Sequence, residues 1–267
     1  MSSVGRRLLQ GLPFIVVGSL LLPSPASAQS RIFLGGNIGG QAPATGDFTQ
    51  TASTPLRGET ETRTSAYQVG GGPMLDATLG YMFTPWVGAA VAFNRYHDAH
   101  TADYSLTVPH PLLFDRAVTH SGTTTDELDH TERAFHLEFV VAPPLNDDSL
   151  SLKFFVGPSK LYVNQTLIED LGITETLTDD GAYDFTIDHV VTGDDSKTCA
   201  CAWGFHIGAD LAKYFTPNVG VGVMFRFERA TVDLKDAAGV AIGNGDATQE
   251  FKAGGVLIGG GLRLRFP

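Results

Sequence analysis

Cysteine is nearly absent: 267 residues contain two, Cys199 and Cys201, a single position apart. A C-x-C pair lacks the spacing of a structural zinc site, which needs further ligands elsewhere. It leaves a small local disulfide, a bond to a partner, or an idle pair at a strand end. Long apolar runs are missing too. Beyond residue 28 no stretch approaches 18 apolar residues, which excludes a transmembrane helix. It does not exclude a membrane barrel, whose strands are apolar on one face only. Basic residues are scarce, 18 Lys and Arg against 29 Asp and Glu, for a net charge of −11. Nucleic acid wants a basic surface, so that partner class is excluded.

The start of the chain has the features of a cleaved export signal. Arg6 and Arg7 give a positive n-region, residues 12–22 give a short apolar core, and Ala26-Ser27-Ala28 gives an A-x-A cleavage site. No cysteine lies near that site, so a lipoprotein-type leader is not expected. The expected division is a leader at 1–28 and one mature domain at 29–267.

What is present in quantity is glycine, 31 residues, and phenylalanine, 17. They recur in an internal repeat, Phe83-Thr84-Pro85-Trp86-Val87-Gly88 and Phe215-Thr216-Pro217-Asn218-Val219-Gly220. Proline lacks an N–H and fixes φ, so each copy ends a strand and opens a tight turn. Flanking residues alternate apolar with small or polar, the period of a strand with two unlike faces. The alternation predicts eight strands near 31–40, 67–83, 87–94, 133–142, 150–157, 201–215, 219–228 and 251–266. Polar segments at 41–66, 97–132, 162–200 and 235–250 read as long loops. Three short turns alternate with these four loops, and each strand has the roughly 9–11 residues that a tilted strand needs to cross a bilayer. A soluble sandwich or lipocalin-like barrel would alternate as well, with the apolar face inside. Here the second face is small and charged, which suits a narrow lumen and places the apolar face outward. The expected fold is all-β: an eight-stranded antiparallel up-and-down transmembrane β-barrel.

On the export signal, the Phe-Thr-Pro-x-Val-Gly hairpins, the opening Gly35-Gly36-Asn37-Ile38-Gly39-Gly40 and the aromatic Phe266, the chain resembles the small outer-membrane β-barrel proteins of Gram-negative bacteria. These include the N-terminal barrel of outer-membrane protein A, the Ail and OmpX type, and opacity-type surface antigens. The resemblance covers the whole mature chain and specifies architecture. It implies residence in the bacterial outer membrane, contact with outer-membrane lipids and lipopolysaccharide, and delivery by the assembly machinery. The assembly signal maps to Ile258, Gly260, Leu262, Leu264 and Phe266, with Pro267 as a departure after the aromatic.

The inward faces carry Asp76, Glu138, Asp210 and Glu228 against Lys153, Arg226, Arg263 and Arg265. Unpaired charge in a narrow interior is costly, so a structural ion-pair network is expected there. Glu138 and Lys153 are expected to sit opposite each other across a hairpin. Eight strands leave an interior that side chains just fill, so the lumen is expected to be plugged. Five of the eight histidines, His97, His100, His110, His120 and His130, fall in the second loop. No H-x-H, H-E-x-x-H or EF-hand spacing accompanies them, so no metal site is assigned. Ser121 follows His120 and Asp188 precedes His189, but neighbours in an extended chain point to opposite sides. No catalytic constellation and no cofactor is expected. The third loop is strongly acidic, from Glu169 to Asp195, and parts of 177–191 alternate enough to extend as a hairpin.

The leading functional expectation is a monomeric barrel that displays acidic loops for envelope integrity, adhesion to a host or matrix ligand, or as a surface antigen. A narrow porin-like channel for small solutes is the alternative, and a lipid-modifying enzyme comes third.

Overall fold

The protein is described by a computed structural model over residues 31–44, 46–168, 171–178, 184–192, 195–233 and 250–267. The expected leader and nearly all of the expected fourth loop lie outside these residues. Among the described residues fourteen strands appear in order: β1 (Ile32–Pro43), β2 (Asp47–Leu56), β3 (Glu59–Gln68), β4 (Gly72–Met82), β5 (Val87–His100), β6 (Ala102–Pro109) and β7 (Ala117–Thr123). Then come β8 (Leu128–Val141), β9 (Leu150–Ile168), β10 (Leu171–Thr178), β11 (Asp184–Thr192), β12 (Asp195–Tyr214), β13 (Val219–Asp233) and β14 (Glu250–Phe266).

Eight of them close a barrel in the order β1-β14-β13-β12-β9-β8-β5-β4, with β4 returning to β1. Each neighbouring pair is antiparallel. Closure matters because it leaves no edge with unpaired backbone groups. The expected eight-stranded up-and-down architecture is the observed one.

The faces are inside out relative to a water-soluble protein. Ile38 is 73% exposed, Trp203 71% and Val223 58%, while Arg226 and Glu228 are each 1% exposed. Along β8, outward Phe135, Leu137 and Phe139 alternate with buried Ala134, His136, Glu138 and Val140. A barrel that exposes such rows needs an apolar medium around it.

The repeated Phe-Thr-Pro turn has a single chemistry in both copies. The Phe83 N–H donates to the Val87 carbonyl at 2.9 Å, and the Val87 N–H donates to the Thr84 hydroxyl oxygen at 3.0 Å. In the second copy Phe215 donates to Val219 at 3.0 Å, and Val219 donates to the Thr216 hydroxyl at 3.0 Å. The threonine oxygen thus satisfies an amide that the tight turn orphans.

The first two polar segments, expected as plain loops, fold into a four-stranded sheet, β2-β3-β6-β7. The third contains the β10-β11 hairpin, which overlaps the 177–191 stretch expected to extend as a hairpin. Threonine explains why polarity misleads here. Thr49, Thr51, Thr60, Thr62 and Thr64 are β-branched and favour the pleated backbone while leaving the surface polar. A few large side chains then anchor the sheets. Leu106 and Val108 of β6 bury against Phe185 and Ile187 of β11. Phe48, Tyr67, Tyr96, Leu161, Val163 and Phe251 join an apolar cluster that caps the long-loop end of the barrel.

The segment expected as one strand at 67–83 is two, broken at residues 69–71. Unbroken alternation from outward Leu75, Leu79 and Tyr81 would put Val69 outward and Gln68 inward, yet Val69 is buried in the apolar cap and Gln68 is exposed. The cause is Gly70-Gly71-Gly72-Pro73, where the Gly70 N–H donates to the Asp98 carboxylate at 2.7 Å and its carbonyl accepts from the Tyr96 hydroxyl. That break resets the phase.

Two inward glycines let aromatic rings lie across the neighbouring strand. Gly80 is the register partner of Phe33, and Gly208 that of Phe155. A Cβ at either glycine would overlap the ring. Gly80→Val therefore lowers stability by about 1–3 kcal/mol, read as a shifted urea midpoint for the folded barrel in detergent. Gly36→Val, whose outward position has nothing within 4 Å, leaves the midpoint nearly unchanged.

Candidate functional site in the barrel lumen

The two flattened rings are the seats for two inward cations. Lys153 Nζ lies 4.2 Å from the centre of the Phe33 ring, and the Arg226 guanidinium lies 5.2 Å from that of Phe155. A cation over an aromatic face is stabilised most where water is excluded. The glycines therefore set the rings, and the rings help set the charges.

Arg226 on β13 is the centre of the interior. One nitrogen donates to Asp76 on β4 at 2.6 Å and another to Glu138 on β8 at 2.8 Å. Asn37 on β1 donates to the second Asp76 oxygen at 2.7 Å. Nearer the short turns, Arg263 on β14 holds Asp210 on β12 through Nε at 2.9 and 3.1 Å and through a second nitrogen. A planar guanidinium fork matches a carboxylate in this way.

Six of the eight residues expected in the network contribute to it directly: Asp76, Glu138, Asp210, Arg226, Glu228 and Arg263. Lys153 is buried, but its place differs from the expectation. His136 pairs with Ser159 and Val140 with Phe155, so Glu138 falls between them, four residues from a register match with Lys153. The register partner of Lys153 is Asp210 across the β9-β12 pair. Arg265 leaves the lumen altogether. Its guanidinium stacks 4.0 Å from the Tyr214 ring and donates to the Pro217 carbonyl at 2.6 Å, at the short-turn rim.

The expected balance of four acids and four bases changes as well. Glu132 of β8 points inward and is 2% exposed, accepting from Gln41 at 2.8 Å and from the Gly254 N–H at 3.0 Å. The lumen thus contains Asp76, Glu132, Glu138, Asp210 and Glu228 against Lys153, Arg226 and Arg263. Three histidines stand beside three of these acids. His130 is 3.2 Å from Glu132, His136 is 3.3 Å from Glu228, and His206 is 3.9 Å from Glu138. Two of these pairs, His136–Glu228 and His206–Glu138, join different strands and so depend on which strands face each other across the lumen. His130, placed in a loop by its polar neighbours, is an inward residue of an extended β8.

Between the two deeper histidines sits Ser159, with both Nδ1 atoms 2.8 Å from its oxygen. The Ser159–His136–Glu228 order resembles a nucleophile, base and acid relay. Ser159 is 0% exposed and does not line the lumen cavity. Its oxygen is engaged by two imidazoles, so the arrangement links strands β8, β9 and β12 instead of presenting a nucleophile.

The remaining second-loop histidines disperse. His100 contacts Asp98, His110 accepts from the Leu112 and Leu113 amides at 3.1 Å, and His120 stacks on Tyr104. Among the described residues no group of three or more His, Cys, Asp or Glu side chains is placed to hold a metal ion. Cys199 and Cys201 are free thiols on the outer wall. The Cys199 thiol donates to the Asn164 side-chain carbonyl at 2.6 Å.

Residues 13–254 match the outer membrane protein beta-barrel domain family. Among solved structures, the chain is similar to the outer membrane protein OprG of Pseudomonas aeruginosa, at 10% identity over 89% of this chain and 96% of that one, with a TM-score of 0.45. It is also similar to Neisserial surface protein A, at 12% identity over 88% and 97%, TM-score 0.39. The outer membrane protease OmpT of Escherichia coli matches at 10% identity over 91% and 99%, TM-score 0.44. No curated protein sequence matches the chain.

Removing the central cation tests the arrangement. Arg226→Met strands Asp76 and Glu138 in the interior, and breaking a buried pair from one side costs about 3–5 kcal/mol. The expected result is a large fall in the urea midpoint. Arg226→Met with Asp76→Asn and Glu138→Gln together recovers most of it.

Proposed function

Since the chain belongs to the outer membrane protein beta-barrel domain family, we propose that it is a non-conducting surface-display barrel of the bacterial outer membrane. Its lumen is plugged by ion pairs, and its loops form an acidic platform that meets host or matrix ligands. It performs no catalysis.

The observation that carries this reading is the filled interior. The lumen cavity beside Arg226 and Arg263 measures about 30 Å³, room for a water or two. Above it lies the apolar cap around Leu161, Val163 and Phe251. A solute-sized path would have to cross both. The channel alternative needs a wetted route along the axis, and these two layers oppose it.

The loops support display. The β2-β3-β6-β7 sheet is joined to the β10-β11 hairpin by the Leu106–Phe185 cluster and by an Arg57–Glu175 ion pair. A sheet so anchored presents a fixed surface where an unstructured loop would present an ensemble. Hydroxyl pairs line one face, Thr107 with Thr119 at 3.0 Å and Ser105 with Ser121 at 3.2 Å.

Planar-bilayer recordings of the purified protein are expected to show no steady conductance step; a steady, large step contradicts the plug. Replacing residues 47–68 and 102–123 by short turns is expected to abolish binding of expressing cells to matrix proteins while the barrel still folds. Unchanged cell binding contradicts the display role.

A further inference from the structure

On the outer wall where β5, β8, β9 and β12 adjoin, the surface sinks into a groove of about 670 Å³ lined by Phe93, Arg95, Arg133, Phe135, Tyr162 and Cys201, among others. The register builds it in two levels. Phe93 faces Phe135 and Arg95 faces Arg133 across the β5-β8 pair, and Arg133 faces Tyr162 across β8-β9. The lower level is an aromatic floor, with Phe93 and Phe135 rings 5.0 Å apart and Phe135 and Tyr162 rings 6.2 Å apart. The upper level is a pair of guanidinium groups.

That pair is unexplained by the protein itself. Like charges directly opposite on neighbouring strands, with Cβ atoms about 5 Å apart, are destabilising. Among the described residues neither Arg95 nor Arg133 has an ion pair or a hydrogen bond from its side chain. Their height gives the pair a meaning. On β5 the outward row is apolar from Val87 to Phe93 and turns basic at Arg95; on β8 it is apolar from Val141 back to Phe135 and turns basic at Arg133. The rows of β13 and β14 end similarly at Arg229 and Lys252, on the long-loop side. The two arginines thus stand where acyl chains give way to head groups.

We propose that this groove binds one phosphorylated lipid of the outer leaflet. An acyl chain lies along Phe93, Phe135 and Tyr162, and a phosphate sits between Arg95 and Arg133. Two guanidinium forks match a phosphate dianion and remove their mutual repulsion by sharing it. A soluble phosphate would use the arginines and leave the floor idle, whereas a lipid uses both. The site rests on the outer-membrane reading above and adds to general lipid contact one discrete groove, its stoichiometry and the residues that hold the phosphate. Lys160, whose ammonium lies 5.2 Å from the Trp203 ring centre, flanks the floor as a third cation.

The test uses the full chain folded into phosphatidylcholine vesicles containing either a diphosphorylated acylated disaccharide or its dephosphorylated form. After extraction into detergent, native mass spectrometry counts the lipid retained. Wild type is expected to retain one phosphorylated lipid. Arg95→Gln with Arg133→Gln is expected to retain about tenfold less or lower, the loss of at least one charge-assisted contact. Lys252→Gln, on a strand across the barrel, behaves as wild type. In parallel, maleimide labelling of Cys201 at the groove edge is slower in vesicles with the phosphorylated lipid. Equal retention by the double arginine variant overturns the site, as does equal retention of the dephosphorylated lipid or a labelling rate indifferent to phosphate. A wild-type chain that inserts into neither vesicle contradicts the outer-membrane reading, and the site with it.

Discussion

The structure depends on one inversion: apolar rows turned outward around a closed ring of backbone hydrogen bonds. Closure satisfies the backbone without water, which an acyl environment demands. It also forces the second face of every strand into a narrow interior. The polar side chains collected there have no bulk solvent to shield them, so each must find a partner within the same few ångströms. The Arg226 bridge to Asp76 and Glu138 and the Arg263–Asp210 fork are consequences of that confinement.

Confinement also explains the glycines. An interior this narrow accepts a phenylalanine only if the opposing position is empty, as Gly80 is for Phe33 and Gly208 for Phe155. The rings then become surfaces on which Lys153 and Arg226 rest. Glycine content, aromatic content and buried charge, which look like separate features of the composition, are parts of one packing solution. Above this polar core the lumen turns apolar, and the loop sheets grow from that cap.

Alternation made the barrel legible in the sequence, because a period of two survives whatever medium surrounds the strand. Strand faces in the barrel strands β8, β9, β12, β13 and β14 follow it closely over the expected spans, and the Phe-Thr-Pro repeat marked two of the turns. Three kinds of information were not legible. Threonine-rich strands of the loop sheets are polar on both faces, so they lack the contrast that reveals a strand. Register is a property of pairs, which is why Glu138 and Lys153, close in the hairpin, are not partners. Phase breaks such as Gly70 to Pro73 shift the faces without changing composition. The histidine partners of Glu138 and Glu228 come from other strands, while His130 and Glu132, neighbours along β8, both lie beyond the expected strand end.

The inversion itself is open to direct measurement. Spin labels placed one at a time from Val219 to Arg229 on β13, in the folded protein in lipid vesicles, report contact with membrane-dissolved oxygen. A period of two is expected, with high accessibility at Val221, Val223 and Phe225 and low accessibility and slow motion at Gly222, Met224 and Arg226. An alternation of opposite phase, or none, would contradict it.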